Sequence, residues 1–189
     1  MPLTPTQRKL QIEAETIAIL TRVDLESIED LPAQYRLVAL RIAINHMVIA
    51  EVVSRYTLLD ELFSDLIARY FFKQPKKPIH FGKLWRTKKF RIFNHQVLDE
   101  MFLLKKASII HSVKPLPAEV MSFVQRLNAI RNAFAHSFFP ENRRENFKTK
   151  KVLYGGLDIR TSAGIEKLLD DFQAVWMLVV RRAYPKWRE

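Results

Sequence analysis

The stretch from Pro117 to Pro140 reads PAEVMSFVQRLNAIRNAFAHSFFP, and its pattern decides the fold class. Val120, Phe123, Val124, Leu127, Ile130 and Phe134 recur at steps of three and four, one continuous apolar face of an α-helix. Pro140, which cannot continue a helix, stops it soon after His136. A second stripe runs beside the first. Asn128, Asn132 and His136 are spaced by four and share a face, with Arg131 next to it. Asparagine and histidine are indifferent helix formers, so three in line point to hydrogen-bonding duty at a partly buried place. Arg131 and His136 stand about 140° apart around the helix and about 7.5 Å apart along it, a gap an extended arginine side chain can bridge.

Outward from this helix the same periodicity dominates. Gln7 to Arg22 reads as a first helix. Pro32 suits the first turn of the next, which runs from about Ala33, with room for a bend, to Phe72. Leu58, Leu59, Leu62, Phe63, Leu66, Ile67 and Tyr70 form its later apolar face. Lys73 to Asn94 reads as a basic loop. Gln96 to His111 reads as a further helix, with Leu98, Met101, Phe102, Lys105 and Ile109 in register. Pro115 and Pro117 mark a tight connection. After Pro140 the chain is polar and basic, then reaches Gly155-Gly156, which predicts a short hairpin around Val152 to Ile159. The last helix carries Ile165, Leu168, Leu169, Phe172, Val175, Trp176, Val179 and Ala183. The expectation is an all-α, up-and-down helical bundle with an irregular or hairpin insertion near 147–160. It is one domain over 1–189: an N-terminal helix and linker (1–30), a core (31–140), a basic loop (141–160) and a C-terminal helix (161–189).

Composition narrows the chemistry. With 48% hydrophobic residues in 189, the chain can bury a core without staples. It has no cysteine, which excludes disulfides, thiolate metal sites and thiol catalysis. His46, His80, His95 and His111 are scattered at no metal-ligand spacing, so each reads as structural or solvent-exposed and no metal site is expected. With four glycines, no glycine-rich phosphate loop is present and no cofactor is expected. Met1 to Pro5 lacks a signal-peptide pattern. The most apolar stretch, Leu37 to Val53, carries Arg41, Asn45, His46 and Glu51 and reads as a buried helix, not a membrane span. A cytoplasmic protein with no membrane partner is the expectation.

The segment Ile130-Arg131-Asn132-Ala133-Phe134-Ala135-His136 resembles the signature of HEPN domains. These are small helical bundles with an arginine, a polar residue directly after it, and a histidine four to six positions beyond the arginine. Here an apolar residue precedes the arginine, the motif closes a long helix, and Leu127-Asn128 lies just upstream. The Leu58 to Phe72 helix resembles the acidic-apolar second helix of such domains. As a pattern the resemblance spans roughly Leu37 to Pro140; only the motif itself is specific. It implies metal-independent RNA cleavage in which the RNA's own 2′-hydroxyl is the nucleophile. His136 would transfer the proton, Arg131 would clamp the phosphate, and Asn132 would orient. It also implies a homodimer in which two such helices face each other.

Charge agrees with a polyanionic partner: 31 Lys and Arg against 20 Asp and Glu, formally +11. Between Asp65 and Asp99 no acidic residue occurs, while nine basic ones do, among them Lys76, Lys77, Lys83, Arg86, Lys88 and Lys89. Tyr70, Phe71, Phe72, Phe81, Trp85, Phe90 and Phe93 are interleaved, and such rings more often pack a segment down than display a platform. A second basic stretch includes Arg143 and Arg144. If the Leu58, Gln96 and Pro117 helices run up, down and up, both stretches gather at the His136 end as RNA-binding flanks.

Three functions follow. The first is a HEPN-like endoribonuclease, a toxin or defence component with an antitoxin or regulatory protein as partner. The second is a non-catalytic dimeric HEPN-like module that regulates or scaffolds, favoured by a motif buried within one protomer. The third is sequence-tolerant nucleic-acid binding without cleavage.

Overall fold

The computed structural model describes residues 4–21, 32–72, 82–137 and 151–183, apart from the side chains at 33, 34, 82, 83, 136 and 137. The described chain is all-α save for one hairpin. Its elements are α1 (Pro5–Thr21), α2 (Ala33–Phe72), α3 (Gly82–Trp85), α4 (Lys88–Phe93) continuing into a π-helical turn (Asn94–Leu98), α5 (Leu103–Val113), α6 (Ala118–Ser137), β1 (Leu153–Tyr154), β2 (Leu157–Asp158) and α7 (Ser162–Ala183). The chain falls into two compact units, residues 1–54 with 129–171, and residues 55–128 with 172–189.

The first unit is built on the buried residues Ala14 and Ile17 of α1, Ile44, Val48 and Val52 of α2, Ile130 and Phe134 of α6, and Ile165 and Leu168 of α7. The expected hairpin is present. Leu153 pairs with Asp158 and Tyr154 with Leu157, and the Ile159 N–H donates to the Val152 carbonyl at 2.9 Å. Its tight turn needs two residues at positive φ, supplied by Gly155 (56°) and Gly156 (84°). Tyr154 is buried and donates its hydroxyl to Asp171 of α7 at 2.8 Å, which pins the hairpin to that helix. The start of α7 is tied down three ways. Thr161 Oγ1 accepts from the Gly164 N–H at 3.2 Å, Glu13 of α1 accepts from the Ser162 N–H, and Gly164 lies so close to Asp158 that an added Cβ would sit 2.1 Å from its carbonyl oxygen.

The Leu37 to Val53 stretch is buried on one side only. Leu40, Ile44, Met47, Val48 and Val52 face inward, but Val38 is 57% exposed, Ile42 42% and Val53 47%, and Tyr35, just before the stretch, is 57% exposed. The expectation of a buried helix is corrected to a helix apolar on both faces. By length and composition α2 could cross a membrane over Tyr35–Phe72, with a mean hydropathy of 1.6 in its most apolar window. It nonetheless supplies core residues to both units and carries Asp60, Glu61, Asp65 and Arg69 in its second half, which reads as a core helix.

The second unit packs Leu59, Phe63 and Ile67 of α2, Leu103 and Ile110 of α5, Phe123 and Leu127 of α6, and Val175 and Val179 of α7 into its core. Here two expectations fail. Lys88 to Phe93 is helix, not loop; Thr87 caps it by accepting from the Phe90 N–H at 3.3 Å. The single helix from Gln96 to His111 is instead a π-turn, a break at 99–102, and α5. The expected stripe ran through Phe102 and Lys105, yet Phe102 is 73% exposed and Lys105 is exposed. The true inward face is Leu103, Lys106, Ala107 and Ile110. Its first turn is fixed by tertiary partners: the Leu103 N–H donates to the Tyr56 hydroxyl at 3.2 Å, and Lys106 meets Asp60 at 2.5 Å. Because 56 pairs with 103 and 60 with 106, α5 runs parallel to this part of α2. The extra helical segment thus reverses the parity assumed from sequence. α6 and α7 pair antiparallel here, with Phe123 against Phe172 at 6.2 Å and Arg182 donating to the Pro115 carbonyl at 2.7 Å.

Candidate functional site

The end of α6 places the motif. The six apolar residues expected on one face, Val120 through Phe134, are all buried. Burying that stripe turns Arg131 and Asn132 outward, and both are exposed. Arg131 Nη1 donates to Asn132 Oδ1 at 3.3 Å, so the guanidinium is drawn toward its neighbour. The helix continues through Ser137, which keeps His136 on the same helix five positions past Arg131. The His136 side chain lies outside the described residues.

Behind this helix end stands a residue the sequence reading missed. Arg160, just after the hairpin, lays its guanidinium over the Phe134 ring at 5.3 Å and donates from Nε to Asn45 of α2 at 2.9 Å. Its backbone N–H donates to Asp158 Oδ1 at 3.1 Å. Burial lowers the Arg160 pKa from the ordinary arginine value, and the nearby Asp158 charge partly offsets this. An arginine stays charged under such a shift, so a cation is held against the inner side of the motif helix. No spacing rule links residue 160 to 134 and 45; only the folded hairpin does.

Of the expected RNA-binding residues, Arg86, Lys88 and Lys89 are exposed, as is Arg91. The Lys83 side chain and residues Lys76, Lys77, Arg143 and Arg144 lie outside the described residues. The segment carrying Arg86 to Arg91 belongs to the second unit, whereas Arg131 to His136 belong to the first.

Phe72, Phe90 and Phe93 pack this segment down, whereas Tyr70, Phe71 and Trp85 are exposed and Phe81 lies outside the described residues. Phe72 at the end of α2 meets Phe90 at 5.3 Å and Phe93 at 5.2 Å, and Trp85 meets Phe90 edge-on at 5.2 Å. Trp85 also lies 5.9 Å from the His95 ring, and His95 Nδ1 is 3.0 Å from Asp99 Oδ2. The histidine at 111 has a structural duty, accepting the Leu116 N–H at 3.0 Å. Among the described residues, no group of three or more His, Asp or Glu is placed to hold a metal ion. No protein-family model, curated protein or solved structure matches the chain.

Proposed function

We propose that the chain is a HEPN-like, metal-independent endoribonuclease, a cytoplasmic toxin or defence component that works as a homodimer beside an antitoxin or regulatory protein. The observation that carries this reading is the outward presentation of Arg131 and Asn132 on the closing turns of α6, where RNA or a second protomer can reach them. A motif buried among its own helices would have favoured the regulatory module instead.

The chemistry asks little of the protein. The 2′-hydroxyl attacks the adjacent phosphorus, the bond from phosphorus to the 5′-oxygen breaks, and the products are a 2′,3′-cyclic phosphate and a 5′-hydroxyl. One proton leaves the 2′-oxygen and one reaches the departing 5′-oxygen, transfers suited to His136. Arg131 neutralises charge on the non-bridging oxygens as the phosphorus becomes pentacoordinate. Asn132, within hydrogen-bonding distance of Arg131, aims the guanidinium. Two motifs brought together by dimerisation would supply separate groups for the two proton transfers.

The test is cleavage of mixed RNAs by purified protein in EDTA. The wild type cleaves, and Arg131→Ala and His136→Ala each lose at least about a hundredfold in rate, the usual size of one acid–base or charge-stabilising group. Cleavage that needs a divalent metal, or that persists in both variants, sinks the proposal. Intact RNA with a folded wild type transfers the reading to the regulatory module.

A further inference from the structure

The second unit carries a groove that includes Lys88, one of the residues expected to bind RNA. Lys88, Arg91, Ile92, His95 and Gln96 line one shallow groove of about 300 Å³. Their spacing of three, four, seven and eight from Lys88 puts them on one helical face. The face crosses from α4 into the π-turn, whose wider i to i+5 bond is made by the Asp99 N–H to the Asn94 carbonyl at 2.9 Å. Single π-turns within helices often mark functional places.

Two cations, Lys88 and Arg91, line the groove and, among the described residues, no acidic one does. From Gly82 to Leu98 there is no acidic residue, and the first one after it, Asp99, is occupied. It takes His95 Nδ1 at 3.0 Å and the Asn94 side-chain amide at 3.1 and 3.2 Å. At the edge of this face Trp85 is partly exposed, and it is braced from behind by Phe90 and His95. Cations on a concave face beside a braced indole are the two parts of a single-strand site, one for the phosphates and one on which an unpaired base stacks. A bilayer is a poorer fit, since among the described residues Ile92 is the one apolar residue that lines the groove.

We infer that the groove over α4 and the π-turn binds single-stranded nucleic acid, with Lys88 and Arg91 on consecutive phosphates and Trp85 under a base. The inference does not rest on the Arg131 motif and holds whether or not that motif cleaves.

The experiment is fluorescence anisotropy in EDTA, with the full chain and a short labelled 2′-O-methyl oligouridylate, which cannot be cleaved through its 2′-oxygen. Oligodeoxythymidylate, a duplex of equal length and phosphatidylserine vesicles are the other arms. Both single strands are expected to bind more tightly than the duplex. Lys88→Glu/Arg91→Glu should weaken single-strand binding at least about tenfold and flatten the log–log salt slope by about 1.4, two contacts at roughly 0.7 each. Arg8→Glu/Lys9→Glu makes the same charge change on exposed residues of α1 and should bind as the wild type does. Trp85→Leu should weaken binding further without changing the salt slope, and circular dichroism of each variant checks its fold. The inference is overturned if Lys88→Glu/Arg91→Glu binds like wild type, if the α1 variant loses as much, if the duplex binds equally well, or if the loss is confined to vesicles.

Discussion

Lys106 shows how a single residue settles a helix register. It is 2% exposed on α5 and meets Asp60 of α2 at 2.5 Å. A buried ammonium is tolerated only with such a partner, so the pair fixes which face of α5 turns inward. Lys106→Ala removes one charge and strands the other; stability should fall by about 3 kcal/mol, read as a lower denaturant midpoint at unchanged slope. Lys106→Met with Asp60→Leu should recover most of that loss. A double variant as unstable as the single one would show that the pair itself holds α5 in place. Arg160 works similarly in the first unit. Arg160→Ala loses a hydrogen bond to Asn45 and the contact with Phe134, and should cost about 1–2 kcal/mol in thermal or chemical unfolding. Neither residue is legible from sequence. An inward lysine looks like an outward one until its partner, 46 positions away, is known. The apolar stripe of α6 was legible and sets which side faces out, but Asn132, expected at a partly buried place, is exposed because that stripe alone fills the contact with the core.

Among elements, those with a strong period or a compulsory turn were readable and those held by tertiary contacts were not. The α6 stripe, the ends of α2 and the Gly155-Gly156 hairpin stand where the pattern put them. The break at 99–102 does not, because Leu98 and Ile109 happen to be in phase across it, and Tyr56 decides where α5 begins. One more helical segment reverses the direction expected of α5 relative to α2. Gly164 offers a test at this scale. Gly164→Ala would drive a methyl into the Asp158 carbonyl and should cost about 1–3 kcal/mol, whereas nothing lies within 4 Å of an added Cβ at Gly156. The strain there is only that of φ +84°, about 1–2 kcal/mol for Gly156→Ala. A Gly164→Ala variant that melts like wild type would contradict the close packing of α7 on the hairpin.

For the molecule as a whole, formal charge of +11 and the exposed stripe of Tyr35, Val38, Ile42 and Val53 are the two features that call for partners. A largely apolar helical stripe of this kind suits a second helix, and the HEPN-like reading requires two protomers. Light scattering should give twice the chain's mass, and Ile42→Asp should give the monomer with its circular dichroism intact; a wild-type monomer at all concentrations would remove the dimer from the account. The central claim concerns chemistry, and the most direct measurement is mass spectrometry of the RNA ends left by the wild type and by His136→Ala in EDTA. The account predicts 2′,3′-cyclic phosphates and 5′-hydroxyls from the wild type and intact RNA from the variant. Products ending in 5′-phosphates, or the same cyclic ends from the variant, would contradict it.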